Sequence, residues 1–108
     1  MTDMGTVRVM RINATGVGFR APESWCSFNG LTLGSPVFVR GNLDGSISFF
    51  GVRQEWGKEI KLRVKDRRYA ILTIPNDIAR TRGIVQSDVV SMEADPETGE
   101  LRLRKETA

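Results

Sequence analysis

Residues 70–104, AILTIPNDIARTRGIVQSDVVSMEADPETGELRLR, carry four signals in a fixed order. Ala70, Ile71, Leu72, Thr73 and Ile74 form a β-rich run. Pro75 cannot donate to a ladder but suits the first helical position, and Asn76 and Asp77 favour the positive end of a helix. Arg80 and Arg82 suit its negative end, and Gly83 can take the left-handed conformation that stops it. Val89–Glu93 and Leu101–Arg104 are short strands joined by the turn Asp95-Pro96-Glu97-Thr98-Gly99.

The upstream chain follows the same plan. Residues 1–5 are a polar lead with nothing to bury, expected to be mobile. Thr6–Ile12 alternates, with Val7 and Val9 on one face and Arg8 on the other; Arg11 breaks the alternation near its end. After the turn Asn13-Ala14-Thr15-Gly16 comes a second strand, Val17–Ala21. Pro22 opens a short helix with Glu23 in its first turn and Trp25 and Phe28 turned to the core. Asn29-Gly30 stops it, and Val37–Val39 and Ile47–Phe50 flank the turn Asn42–Gly45.

Pro22 and Pro75 lie 53 positions apart, and that shift aligns chemical type over about 45 residues. It matches Val7 with Ile60, Arg8 with Lys61, Trp25 with Ile78, Gly30 with Gly83 and Val37 with Val90. One extra residue in the last turn then matches Gly45 with Gly99, Ile47 with Leu101 and Phe49 with Leu103. The expected organisation is one compact domain over 1–108, made of two repeats at about 6–50 and 59–104 with a linker at 51–58. Units this small rarely bury a core alone, so the two are expected to stack. Gly57 is placed to bend the linker, and Trp56 is expected to cap one end of the fold.

Composition narrows the chemistry. The chain has 108 residues, no histidine, one cysteine and a net charge of +3. Without histidine the usual general base near neutral pH is missing, and so are most zinc sites. Cys26, inside the first helix, reads as a small buried thiol, and it excludes an intrachain disulfide. Asp95 and Glu97 read as turn residues, and Gly16-Val17-Gly18 lacks the third glycine of a dinucleotide site. An enzyme is not expected, nor a cofactor or metal. No apolar run approaches the roughly 20 residues of a membrane span, and no leader pattern precedes Thr6, so a cytoplasmic setting is expected.

The positive charge is unevenly spread. Glu59–Arg68 holds five basic residues against two acidic ones, whereas Asp77–Arg104 holds four against six. With Ile60, Leu62 and Val64 pointing inward, alternation puts Lys61, Arg63 and Lys65 on the opposite face, and Arg67 and Arg68 extend it. Arg8, Arg11 and Arg20 occupy the matching region of the first repeat. Such a face also serves simply to keep a β-protein soluble.

The Ile-Pro step, the short helix closed by glycine and the hydrophobic-polar-Asp entry into the third strand resemble the AbrB/MazE/SpoVT family of swapped-hairpin DNA-binding domains. That resemblance implies a mainly β fold with two short helices: a swapped-hairpin β-barrel, here a single-chain pseudo-dimer of two ββαββ repeats. It further implies a phosphate-facing surface for double-stranded DNA, made by Arg8, Arg11, Arg20, Lys61, Arg63, Lys65, Arg67 and Arg68, and a role in transcription regulation. With more cations on its first hairpin, the second repeat is expected to grip DNA harder. The chain departs from the MraZ pattern of Asp and Arg separated by three residues, since only two separate Asp77 from Arg80. Only four residues follow Arg104, short for the toxin-wrapping arm of MazE-like antitoxins. The competing expectation is a protein-interaction module that binds a partner through Phe49, Phe50 and Trp56. A monomer is expected, with higher oligomers open.

Overall fold

The strand that begins each half bends from one sheet into another, and this bend organises the fold. The structure, a computed structural model, describes residues 1–65 and 69–106, with Val64 and Lys65 described by backbone alone. The first half runs β1 (Thr2–Arg8), β2 (Met10–Arg11), β3 (Val17–Arg20), α1 (Glu23–Phe28), β4 (Pro36–Gly41) and β5 (Ile47–Phe50). The second runs β6 (Lys58–Lys61), β7 (Arg63–Lys65), β8 (Tyr69–Ile74), α2 (Asn76–Arg82), β9 (Val89–Asp95) and β10 (Glu100–Lys105). These strands form two antiparallel sheets, β1-β9-β10-β5-β4-β6 and β2-β3-β8-β7.

The ladders do not close into a barrel among the described residues, contrary to the sequence-based expectation. The reason lies at Val9 and Leu62, where the bent strands leave one sheet for the other. Val9 N–H donates to Asp88 O and Ser87 N–H to Val9 O, both at 2.8 Å. Leu62 N–H donates to Ser35 O and Gly34 N–H to Leu62 O, both at 2.9 Å. Each hinge residue thus satisfies its backbone against a helix-to-strand loop rather than a neighbouring strand. Both side chains are buried, which holds the bend inward.

The pairings recur under the shift of 53 residues. Val7 opposes Val90 and Val37 opposes Ile60; Arg8 opposes Val89 and Pro36 opposes Lys61. Met10–Gly18 and Arg11–Val17 correspond to Arg63–Ile71 and Val64–Ala70. Past the last turns, where the shift becomes 54, Val39–Phe49 corresponds to Met92–Leu103. Each half lends its first strand to the other: β1 pairs with β9, and β6 with β4.

Alternation along the strands builds the core. Val37, Val39, Ile47, Phe49, Leu101 and Leu103 from the six-stranded sheet meet Phe19, Leu72 and Ile74 from the four-stranded one. Phe19 and Phe49 pack edge to face with centroids 5.3 Å apart, the geometry that aromatic quadrupoles favour. Trp25 closes one side and donates its indole N–H to Gly99 O at 2.9 Å. So α1 packs on the last turn of the second half. At the related place, Arg82 of α2 donates to Asn42 O at 2.7 Å, in the last turn of the first half.

Several expectations need correcting. Residues 2–5 are not a loose lead: they extend β1, because β9 would otherwise present an open edge, and Met4 packs partly on the core. Pro22 and Pro75 are the extended residues just before each helix, which starts one position later. Phe28 is 66% exposed, since a helix of six residues turns only Trp25 and Cys26 inward. Ile78 is half-buried, and Ala79 is the buried residue of α2. The stop at Gly83 is left-handed as expected, with φ 65°.

Candidate nucleic-acid interface

The outer face of the four-stranded sheet follows from register. Phe19, Leu72 and Ile74 point to the core, so Gly18, Arg20, Tyr69, Ile71 and Thr73 take the other face. Residues directly opposite share a face in an antiparallel pair. Arg63 opposes Ile71 and Met10 opposes Gly18, so both join it. Ile71 is flanked in the ladder by Arg20 and Arg63 and is 5% exposed, yet it belongs to no part of the core cluster. The Arg20 guanidinium lies over the Tyr69 ring, 4.9 Å from its centroid.

The eight cations named from sequence do not fall in one place. Arg20 and Arg63 share this outer face. Arg8 and Lys61 end β1 and β6 in the six-stranded sheet, and Arg8 donates to Ser87 O at 3.2 Å. Arg11 opposes Val17, which packs toward the core, and its Nε–H donates to Asn13 O at 3.0 Å. Lys65 opposes Tyr69 by backbone pairing. Its side chain, and all of Arg67 and Arg68, lie outside what is described.

Charge pairing separates two groups of cations. Lys58 pairs with Asp77, Arg102 with Glu100, Arg104 with Asp44 and Lys105 with Asp88. Arg8, Arg11, Arg20, Lys61 and Arg63 are exposed, and among the described residues none forms a salt bridge; the same holds for Arg53 and Arg80, which lie away from the small sheet's strands. The carboxylates respond to their partners. The Lys58 ammonium holds Asp77 below the usual carboxylate range. The Val85 N–H, opposed by partial desolvation and aided by Lys105, lowers Asp88. Burial, with Glu23 adding to it, pushes the Cys26 thiol up and disfavours a reactive thiolate.

The aromatic patch expected for a protein partner is divided by the same alternation. Phe49 is fully buried against Phe19 and cannot reach a partner. Phe50 faces outward from the six-stranded sheet but is 8% exposed, because Trp56 packs edge to face on it at 5.8 Å. Arg40 lies 3.7 Å from the centroid of Trp56. Trp56 therefore covers the outer face of the larger sheet rather than an end of the fold.

A groove of about 560 Å³ runs beside the first hairpin turn, lined by Thr15, Val17, Asn76, Arg80, Ile84 and Gln86. No group of three or more acidic or sulfur ligands suited to a metal occurs among the described residues. Among them, too, no helix is long and apolar enough to cross a membrane. Sequence reasoning missed Tyr69 as a partner of Arg20. The signal was present as a tyrosine one alternation step from Ile71, but the ladder that brings Arg20 to it is non-local. Compared with known proteins, the chain matches no family model, no curated protein and no solved structure.

Proposed function

We propose that this chain is a DNA-binding protein, a transcription regulator built as a single-chain pseudo-dimer of the swapped-hairpin AbrB type. The exchange of first strands between the halves supports the fold reading. One observation carries the functional reading: Arg20 and Arg63 stand on one open sheet face, with no carboxylate partner among the described residues. Guanidinium groups so presented suit phosphate oxygens and, in a major groove, the two acceptors of guanine. Lys61, Arg8 and Arg11 add positive potential from the neighbouring strand ends. The protein acts as one domain, in the cytoplasm, without a cofactor.

The test is affinity for nonspecific duplex DNA against salt concentration. Binding at about 50 mM salt that weakens steeply as salt rises supports the reading, because released counterions drive such contacts. No binding, or a slope near zero, removes DNA and favours a protein-interaction module on the outer face of the six-stranded sheet, where Trp56, at 42% exposed, lies over Phe50 and Arg40.

A further inference from the structure

The two halves of the small sheet's outer face are related by the shift of 53, yet they carry different chemistry. Arg63 corresponds to Met10, Tyr69 to Gly16, Ile71 to Gly18, and Arg20 to Thr73. Phe19 opposes Leu72, and the shift exchanges these two, so the pseudo-twofold passes between them. On one side stand Arg63, Tyr69 and, reaching across from β3, Arg20. The other side offers Met10, a bare Gly18 and Thr73. Ile12 lies over that glycine, with its Cδ1 about 3.0 Å from where a Cβ would stand. A symmetric reader of two half-sites would present matching cations on both sides. This face presents them on one.

We propose that DNA is gripped by this one side alone, with Arg20 as the central contact and Tyr69 as the residue that positions it. The ring holds a flexible side chain over the sheet, so less rotamer freedom is lost when the guanidinium meets a phosphate or base edge. Arg20 belongs by sequence to the first half but works with Arg63 of the second. The proposal rests on the DNA-binding reading and narrows it to a single half-site.

The experiment measures fluorescence anisotropy of the full chain on labelled duplexes of about 10 and about 20 base pairs, one and two helical turns. A one-sided grip gives equal affinity per site and equal salt slope on both. Arg20→Ala and Arg63→Ala each flatten the slope by about one unit. Tyr69→Leu, which changes no charge, weakens binding about two- to fivefold, the worth of an exposed cation–π contact, while Tyr69→Phe retains it. A duplex of about 20 base pairs bound with a clearly steeper slope overturns the one-sided grip and leaves DNA binding intact. So does a loss from Arg8→Ala with Arg11→Ala that equals the loss from Arg20→Ala with Arg63→Ala. Unchanged affinity in Tyr69→Leu overturns the positioning role. No wild-type binding to either duplex overturns both readings.

Discussion

Phe19 and Leu72 face each other across β3 and β8, both with no exposed surface, and the shift of 53 residues exchanges one for the other. They come from different halves of the chain and meet at the point about which the pairings repeat. Phe19 also packs on Phe49 of the other sheet, so this contact joins both layers as well as both halves. Truncation here should be costly. Phe19→Ala is expected to lose about 3–5 kcal/mol and Leu72→Ala about 2–5 kcal/mol in urea unfolding, as large-to-small core changes do. A loss below about 1 kcal/mol for Phe19→Ala would show that the two layers pack independently there.

The exchange of strands bears on how the halves fold. A fragment 1–54 keeps β1 but loses β9, and keeps β4 but loses β6. Trp25 also loses its acceptor at Gly99. Fragments 1–54 and 55–108 are expected to be poorly folded singly and to recover β structure on mixing, followed by circular dichroism. Cooperative melting of either fragment alone would contradict the interlocked reading.

Glu100 is 6% exposed on β10 and accepts from Arg102 Nε–H and Nη2–H, both at 3.1 Å, and from the Ser48 hydroxyl. The same contact raises the Arg102 pKa. Glu100→Ala leaves the buried Ser48 hydroxyl without its acceptor and frees the partly exposed Arg102, and is expected to cost about 1–3 kcal/mol. Arg104 and Asp44 form an exposed pair, 44% and 50% accessible. Arg104→Ala should therefore cost under about 1 kcal/mol. Equal losses from the two variants would show that the Glu100 network is no tighter than a surface pair.

Acid acts on more than one carboxylate, Asp44 and Asp77 among them, and Asp88 in the turn before β9 offers a direct test. Asp88 accepts from the Val85 N–H at 2.8 Å and pairs with Lys105 at 3.4 Å, and its folded pKa is lowered. A depressed folded pKa means that the group stabilises the fold above its unfolded value, near 3.9, and loses that contribution as pH falls toward the folded value. Asp88→Ala should melt below wild type at neutral pH, with the gap narrowing as pH drops below about 4. A gap that persists unchanged at low pH would point to the turn backbone rather than to the carboxylate.

Cys26 is 8% exposed and its thiol is pushed up by burial. Alkylation by iodoacetamide at neutral pH should be slow in the native protein and rapid in urea. Fast labelling of the folded chain would mean that α1 opens readily from the core.

Local chemistry made much of the architecture legible. Two short helices each preceded by a proline, the glycine stop at Gly83, the turn glycines Gly45 and Gly99 and the alternating strands are all short-range consequences of residue type. The shift of 53 was readable for the same reason, since equivalent local environments select equivalent residues. Pairing between halves was not readable, because a strand's alternation says which face is apolar and nothing about which strand lies beside it. That is why residues 2–5 pass for a loose lead until β9 is placed next to them, and why Phe28 passes for core until a six-residue helix leaves it outside. The basic residues follow the same division. Their identity and density belong to the sequence, but only the non-local ladder decides that Arg20 crosses to Tyr69 and Arg63 while Arg8, Arg11 and Lys61 go elsewhere.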